Sequence, residues 1–535
     1  MTASVNHAAM RASIAEMNAV VGYDAIIVCT SNAAQEAYWQ TRLERTRGQA
    51  AKRSAVIVCV HEDWSGDGAG NGLGTLYAYV KARAKAKAAN ESVDLDGLLA
   101  RGGSIGMYHT AGKGTRLAPL PGSENNNKPG VKLPSLVDVD GATENLTILE
   151  AVIRQTGRYA SERSGRCSVF WGDQIFVPSA GHGKSGAHHA DILAVMGPMP
   201  TAEEWRERGL EKYGLIAVND SNEATQVEKV SYETATALLS SFGSVSSVGP
   251  SLGSFSLSEP MLSSLLEEFA SEIAGKRAKM DSDPHFWMPL TMQRDSYVGV
   301  MVTKGESAAQ ASAHHERMRA FRDKLLSAHS DKGMFGAINV GTGSYWWDYG
   351  LLTLYMKNNL LALGSGEEAK ALRLYLGVPE DSRRVRADLG AAVADASSVA
   401  LESKIARGAV SASVLSHVRA VNVDISNSLL MNVTAKNIRA HNCVVYNVVD
   451  ESDEGLILPD GSVFTNVFIP AVNGKGSHKL VMSSSTATCG GKVFKQKLTP
   501  NPYSFDDVYK LNADVDVAAA YAMSSAAHRD AADRH

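Results

Sequence analysis

The sequence predicts an α/β protein, a mostly parallel Rossmann-like sheet with crossover helices, followed by a left-handed parallel β-helix. Three observations predict it. From Tyr23 onward, short apolar runs alternate with helical patterns, as they do where helices join parallel strands. From Ser398 to about Pro470 the pattern changes to hydrophobic beats every five or six residues, at Val414, Val418, Val423, Ile425, Leu430, Val433, Ile438, Val444 and Val448. Asn and Ser fill the gaps, the spacing of a coil whose short rungs each bury one aliphatic side chain. An ordinary β-sandwich is the alternative for this part. At 535 residues, 44% of them hydrophobic, the chain can bury cores for two or three domains. The expected divisions are 1–395 for the α/β part, 396–475 for the coil and 476–535 for a C-terminal extension.

The elements follow in order. Residues 24–30 read as a buried strand, 32–44 as the amphipathic helix after it, and 55–60 as a second strand. A glycine-rich loop, 66–75, leads into a helix over about 76–89. A third strand, 104–109, ends at a second glycine-rich loop. Residues 145–163 read as an amphipathic helix and 167–173 as a fourth strand ending in an acid. The last residues, 518–535, are alanine-rich and read as a surface helix or a frayed tail.

A formal net charge of -4 argues against general nucleic-acid binding, which needs a basic footprint. The five cysteines (Cys29, Cys59, Cys167, Cys443, Cys489) are scattered without a C-x-x-C pair, so a zinc site or disulfide framework is not expected. No apolar run is long enough to span a bilayer, and residues 1–20 show no signal-peptide core. The expected location is the cytoplasm.

The chemistry concentrates in Ala111-Gly-Lys-Gly-Thr-Arg-Leu-Ala-Pro-Leu120 and Lys128-Pro-Gly-Val-Lys-Leu-Pro134. Small residues let a backbone close around phosphates, and cations meet their charge. A Walker A loop fits less well, because no G-K-[ST] follows at the required spacing. The pattern G-x-G-T-R-L-x-P-L…K-P resembles the signature of sugar-1-phosphate nucleotidyltransferases, the nucleotide-sugar pyrophosphorylases. The resemblance covers about 23–363 and implies a GT-A-like catalytic domain, with the coil behind it to about Val472. It implies that Ala111, Gly112, Gly114 and Thr115 face the triphosphate, together with Gly172. Arg116 would meet the leaving pyrophosphate, and Lys128 or Lys132 the α-phosphate. Asp173, in Trp171-Gly-Asp-Gln174, and Asp348, in Tyr345-Trp-Trp-Asp-Tyr-Gly350, would hold Mg²⁺, a hard cation suited to carboxylate and phosphate oxygens. Gly214, Glu228, Lys229 and Gly253 match weaker motifs that would contact the sugar phosphate.

In that family the arginine loop precedes the second glycine-rich turn. Here Asn71-Gly-Leu-Gly-Thr-Leu76 comes first, so the first two strand–helix units have the order of a permuted domain. This order, with Gln35-Glu-Ala-Tyr38, is similar to fucose-1-phosphate guanylyltransferases, and Asn71, Gly72, Gly74 and Thr75 would then lie near the base. The expected substrates are an NTP and a hexose-1-phosphate, with UTP and glucose-1-phosphate first and GTP with fucose-1-phosphate as the rival. A catalytically silent subunit of the same fold is the rival of another class, although the expected cations and acids are all present. A β-helix acyltransferase is a weaker rival, having only His417 and His441 as candidate bases. The coil itself is read as a packing or homo-oligomerisation element. His188-His189 with Asp191 reads as the polar face of a helix, and Asp281-Ser-Asp-Pro-His-Phe-Trp287 as a loop bordering a pocket.

Overall fold

Six consecutive small or apolar residues, Ala25–Thr30, are all buried and form β1. Their side chains alternate between two cores: Ile26 and Val28 join one cluster, Ala25, Ile27 and Cys29 the other. A strand buried on both faces belongs in the middle of a sheet covered on both sides. The computed structural model describes residues 6–64, 66, 68–181, 183, 186–240, 242–471, 476–488 and 491–534. Asp67 of the glycine-rich loop, Cys489 and the expected end of the coil at Val472 to 475 lie outside the described residues.

After β1 come α1 (Ala33–Arg45), β2 (Val56–His61), α2 (Gly70–Ala89), β3 (Ser104–His109) and β4 (Arg166–Trp171). Then follow β5 (His188–Ala194), β6 (Gly214–Asn219), β7 (Ala224–Glu228), β8 (Val245–Ser258) and β9 (Gly333–Asn339). The nine strands form one sheet in the order β2-β1-β3-β4-β8-β5-β9, with β6 and β7 added to the first half of β8. Neighbours from β2 to β4 are parallel; β8 runs against both β4 and β5, and β9 runs with β5. The loops after β2 and β3 therefore open at the same end of the sheet, one strand apart.

Local chemistry explains the helix positions. Asn32 caps α1 by accepting from the Gln35 N–H, and Thr147 with Glu150 forms a capping box on the helix Ile148–Thr156. Glu150 is fully buried and also pairs with Arg42 of α1 at 2.8 Å, tying the two helices together. The helix expected over 145–163 is shorter: 145–147 belong to the strand Ala142–Thr147, and 157–162 tighten into a 3₁₀ turn. His188 and His189 lie on β5, not on a helix, and Asp191 pairs with Arg166 at 3.0 Å. Pairing of β5 with both β8 and β9 overrides the local helical pattern.

Beyond Arg384 the strands stack in parallel with a regular offset. Val399 pairs with Val414, Val414 with Leu429 and Leu429 with Val444, a step of 15 residues each time. Val418, Val433 and Val448 form a second column and Val423 and Ile438 a third, all of them buried. These ladders are parallel, unlike those of an antiparallel sandwich; among the described residues only the final pair, Ser462–Ile469 with His478–Ser485, is antiparallel. Two helices follow, α3 (Phe505–Leu511) and α4 (Val517–Arg534). The chain end is no frayed tail: Tyr521 of α4 stacks on Tyr38 of α1 with ring centroids 5.0 Å apart. No helix among the described residues is long and apolar enough to cross a membrane.

Candidate functional site

β3 delivers the chain into residues 110–117 at the mouth of a cleft of about 690 Å³, a size that suits a nucleotide-sized ligand. Leu117 is fully buried and anchors the loop. Gly114 adopts φ +62°, and a Cβ there would sit 3.0 Å from the Cβ of Lys128. Glycine is thus what brings this loop against the lysine. Ala111, Gly112, Gly114, Gly172, Lys128 and Asp173 all line the cleft. Thr115 and Arg116 open a short 3₁₀ turn, with Arg116 exposed.

The two expected acids converge. Asp173 follows β4 and pairs one carboxylate oxygen with the Lys128 ammonium. Asp348 ends the strand Tyr345–Asp348, which pairs with Gln174–Val177 so that Asp348 faces Gln174. The Tyr349 N–H donates to the Asp173 carbonyl at 3.0 Å, locking the two turns together. A Cβ on Gly350 would lie 2.7 Å from Asp173 Oδ2 and 3.1 Å from Asp348 Oδ1, so both carboxylates border one small space. Burial raises the Asp348 pKa, as does the nearby Asp173 charge; the Gly350 N–H, Lys128 and Arg116 oppose the shift. The arrangement fits a magnesium ion completed by water and phosphate oxygens, with Asp173 and Asp348 as its protein ligands. No group of three or more His, Cys, Asp or Glu suited to a metal gathers among the described residues, so a closed all-protein metal cage is not formed there.

The two candidate lysines have different surroundings. Lys132 is buried, its ammonium on Glu124, whose carboxylate also accepts from the Tyr446 and Tyr521 hydroxyls. Lys128 alone of the two lines the cleft.

Of the expected glycine-rich loop 66–75, residues 70–75 belong to the start of α2, while 66, 68 and 69 lie outside the helix. The N–H groups of Gly72 and Leu73 donate to the Met280 carbonyl at 2.8 and 3.2 Å. That carbonyl does the work of a cap, so the helix starts at Gly70, six residues earlier than expected. Asn71 lines the cleft and exchanges hydrogen bonds with Asp281 and Ser282. Gly72 packs under Met280, Gly74 lies beside Glu62 and His109, and the Thr75 hydroxyl bonds the Asn71 carbonyl. The amides of Gly72 and Leu73 are thus spent on the Met280 carbonyl.

The four residues expected at the sugar phosphate are divided. Gly253, φ +74°, lies against Trp171, where a Cβ would come 2.6 Å from the indole nitrogen, and Trp171 lines the cleft. Gly214 faces Glu228 across the β6–β7 pair, and Glu228 pairs with Lys229 at 3.0 Å. These three do not line the cleft but gather with Gln226 and Asp283. Asp283 heads a π-helix, Asp283–Trp287, where a loop was expected. One segment therefore spans both places: Met280 to Ser282 hold the start of α2, and Asp283 reaches Gln226.

No family model matches this chain, and no curated protein matches it significantly. The cleft also contains residues without a sequence signal. His109 ends β3 inside the cleft, its Nε2 2.8 Å from the Thr75 hydroxyl, and burial lowers its pKa to about 4. It is neutral at pH 7. Tyr509 of α3 also lines the cleft, under Lys113, whose ammonium is 5.0 Å from the ring centre. Trp171 was visible only as a neighbour of Gly172-Asp173.

Burial first, then Glu228 and Asp281, push the Asp283 pKa up to about 6, against a hydrogen bond from Gln226. The native state therefore holds this proton over a range where the unfolded chain has released it. Stability from this group is full below about pH 4 and is lost as pH rises to about 6. Asp283→Asn is expected to remove that loss, raising stability above pH 7 by up to about 3 kcal/mol and changing little at pH 4. Urea unfolding from pH 4 to 8 measures it. An unchanged pH slope in the variant would assign the effect to another group.

Proposed function

We propose that the chain is a magnesium-dependent sugar-1-phosphate nucleotidyltransferase. The observation that carries this reading is the convergence of Lys128, Asp173 and Asp348, with the Arg116 charge acting on Asp348, beside a glycine loop at the end of β3. Phosphoryl chemistry between crowded anions asks a protein for position and positive charge rather than a covalent nucleophile. A sugar-1-phosphate oxygen attacks the α-phosphorus of the NTP, and the bond to pyrophosphate breaks. Lys128 meets the α-phosphate, Arg116 stabilises the leaving pyrophosphate, and Trp171 with Gly253 borders the acceptor. Magnesium, when bound, supplies neutralisation of the phosphate charge.

In this reading the sheet is a permuted GT-A-like domain, supported by β1 and β2 preceding the arginine-loop strand while extending the sheet from its side, β1 next to it and β2 beyond. The coil is read as the left-handed β-helix, supported by the parallel stacking of its strands and the 15-residue step from Val399 to Val444. UTP with glucose-1-phosphate is the first expectation. The Asn71 segment at the cleft, placed ahead of the arginine loop, keeps GTP with fucose-1-phosphate as the second.

Pyrophosphate release with Mg²⁺, across five NTPs and a panel of hexose-1-phosphates, tests the class and identifies the pair. One strong pair is expected; silence across the grid with folded protein would favour a non-catalytic relative. Arg116→Ala is expected to lower kcat for that pair by on the order of 100- to 1,000-fold. Because Arg116 is exposed, its melting temperature should stay as it is. A wild-type rate would remove Arg116 from the mechanism.

A further inference from the structure

The C-terminal extension reaches the cleft through α3. Its Phe505 and Val508 are buried in a cluster with Ala118, directly after the arginine loop, and with Val467 and Met482 of the antiparallel strand pair. Val508 packs closely enough that a Cβ on Gly122 would lie 3.3 Å from its Cγ1. Two side-chain amides fasten the contact. Asn126 donates to the Tyr509 carbonyl at 2.6 Å, and Asn512 donates to the Gly122 carbonyl at 2.9 Å. Asn126 is itself buried and stands two residues before Lys128. α3 is thus fixed to the stretch that joins Arg116 to Lys128.

Tyr509 carries this helix into the cleft, which it lines together with Gly112, Gly114, Lys128 and Asp173. Its ring is held in place. The backbone is tied to Asn126, and the Lys113 ammonium of the arginine loop lies 5.0 Å from the ring centre, a cation–π contact. Asp506, three residues earlier on α3, lies 3.9 Å from the same ammonium and 2.7 Å from that of Lys510, so its charge is met by two cations. The Tyr509 hydroxyl, by contrast, has no hydrogen-bond partner among the described residues. Burial and the Asp506 charge raise its pKa, so it keeps its proton at neutral pH and can donate. A half-buried side chain whose ring is already ordered loses little freedom on meeting a ligand, and a hydroxyl bonds most strongly to an oxygen that carries charge.

We propose that Tyr509 touches the substrate, its hydroxyl donating to a terminal phosphate oxygen of the bound triphosphate, and that the C-terminal extension is thereby a working part of the cleft. This rests on the nucleotidyltransferase reading. The terminal phosphates are assigned because Tyr509 and its helix pack against Lys113, Ala118 and Gly122, in and just after the loop that meets the leaving pyrophosphate, and not against the Asn71 wall. Charge gathers on that pyrophosphate as its bond to the α-phosphorus breaks, so the hydroxyl contact strengthens as the reaction proceeds.

Tyr509→Phe tests this, because it keeps the ring and the Lys113 contact and removes the hydroxyl alone. Calorimetry on the full chain with Mg²⁺ uses inorganic pyrophosphate, UTP, GTP, UMP and GMP as probes. The variant should bind pyrophosphate and the preferred triphosphate about tenfold more weakly, and the matching monophosphate as tightly as wild type. In the rate assay its KM for the triphosphate should rise while KM for the sugar phosphate stays as it is. Its melting temperature should not change, since the hydroxyl makes no internal bond. Undiminished affinity for pyrophosphate, or an equal loss for triphosphate and monophosphate, would overturn the contact and leave the nucleotidyltransferase reading standing. A wild-type protein that binds neither pyrophosphate nor either triphosphate would overturn that reading and the contact with it.

Discussion

Asp173→Asn should lower turnover by on the order of 1,000-fold while leaving the protein folded. Asparagine keeps the shape of the side chain, which is largely buried beside Lys128 and Gly350. It removes the charge that pairs with Lys128 and one of the two hard oxygen donors facing the Gly350 space. The variant should need far more Mg²⁺ and should not regain the full rate at saturation. Asp348→Asn should behave alike, and the double variant should lose little more than either single one, because the two acids act on one centre. Pyrophosphate release titrated with Mg²⁺ measures all three. A wild-type rate in Asp173→Asn at every Mg²⁺ concentration would sink the site assignment.

Lys132→Met, by contrast, is expected to cost about 3–5 kcal/mol of stability, because it strands the fully buried Glu124 carboxylate. The Tyr446 and Tyr521 hydroxyls would remain as donors but cannot neutralise it. Glu124→Gln in the same chain should recover part of the loss. Lys128→Met should show the opposite division, with turnover nearly abolished and a smaller loss of stability than in Lys132→Met, because its partner Asp173 borders the open cleft whereas Glu124 is fully buried. Denaturant unfolding and initial rates on the four proteins separate the two lysines. A Lys132→Met protein as stable as wild type would show that the pair contributes nothing.

The strands were legible where burial on both faces leaves a plain apolar run, as in Ala25–Thr30 and Ser104–His109. The coil was legible because its columns repeat in sequence. The start of α2 was not, since glycines normally signal a loop; only the Met280 carbonyl, over 200 residues away, makes Gly72 and Leu73 helical. The strand at His188 and His189 lacks a local signal for a similar reason, its character coming from neighbours β8 and β9. At the site, the motif order indicated Lys128, Asp173 and Asp348, which do come together, but spacing alone left Lys128 and Lys132 equivalent. A buried acid eight residues before Lys132 separates them. Tyr509 had no signal, since nothing local ties α3 to the cleft.

The Asn-rich stretch 122–127 is held by partners that are made much later. Phe468, Tyr509, Asn512 and Tyr521 lie roughly 340 to 400 residues downstream. At a synthesis rate of about 5–20 residues per second, the Glu124 carboxylate waits roughly 20–80 s for its last hydroxyl partner. The sheet can assemble on the ribosome in that interval, but the link between Arg116 and Lys128 cannot set. Setting of the 122–127 segment therefore waits for synthesis of Tyr521, and a nascent chain arrested before that residue would lack this hydroxyl partner of Glu124.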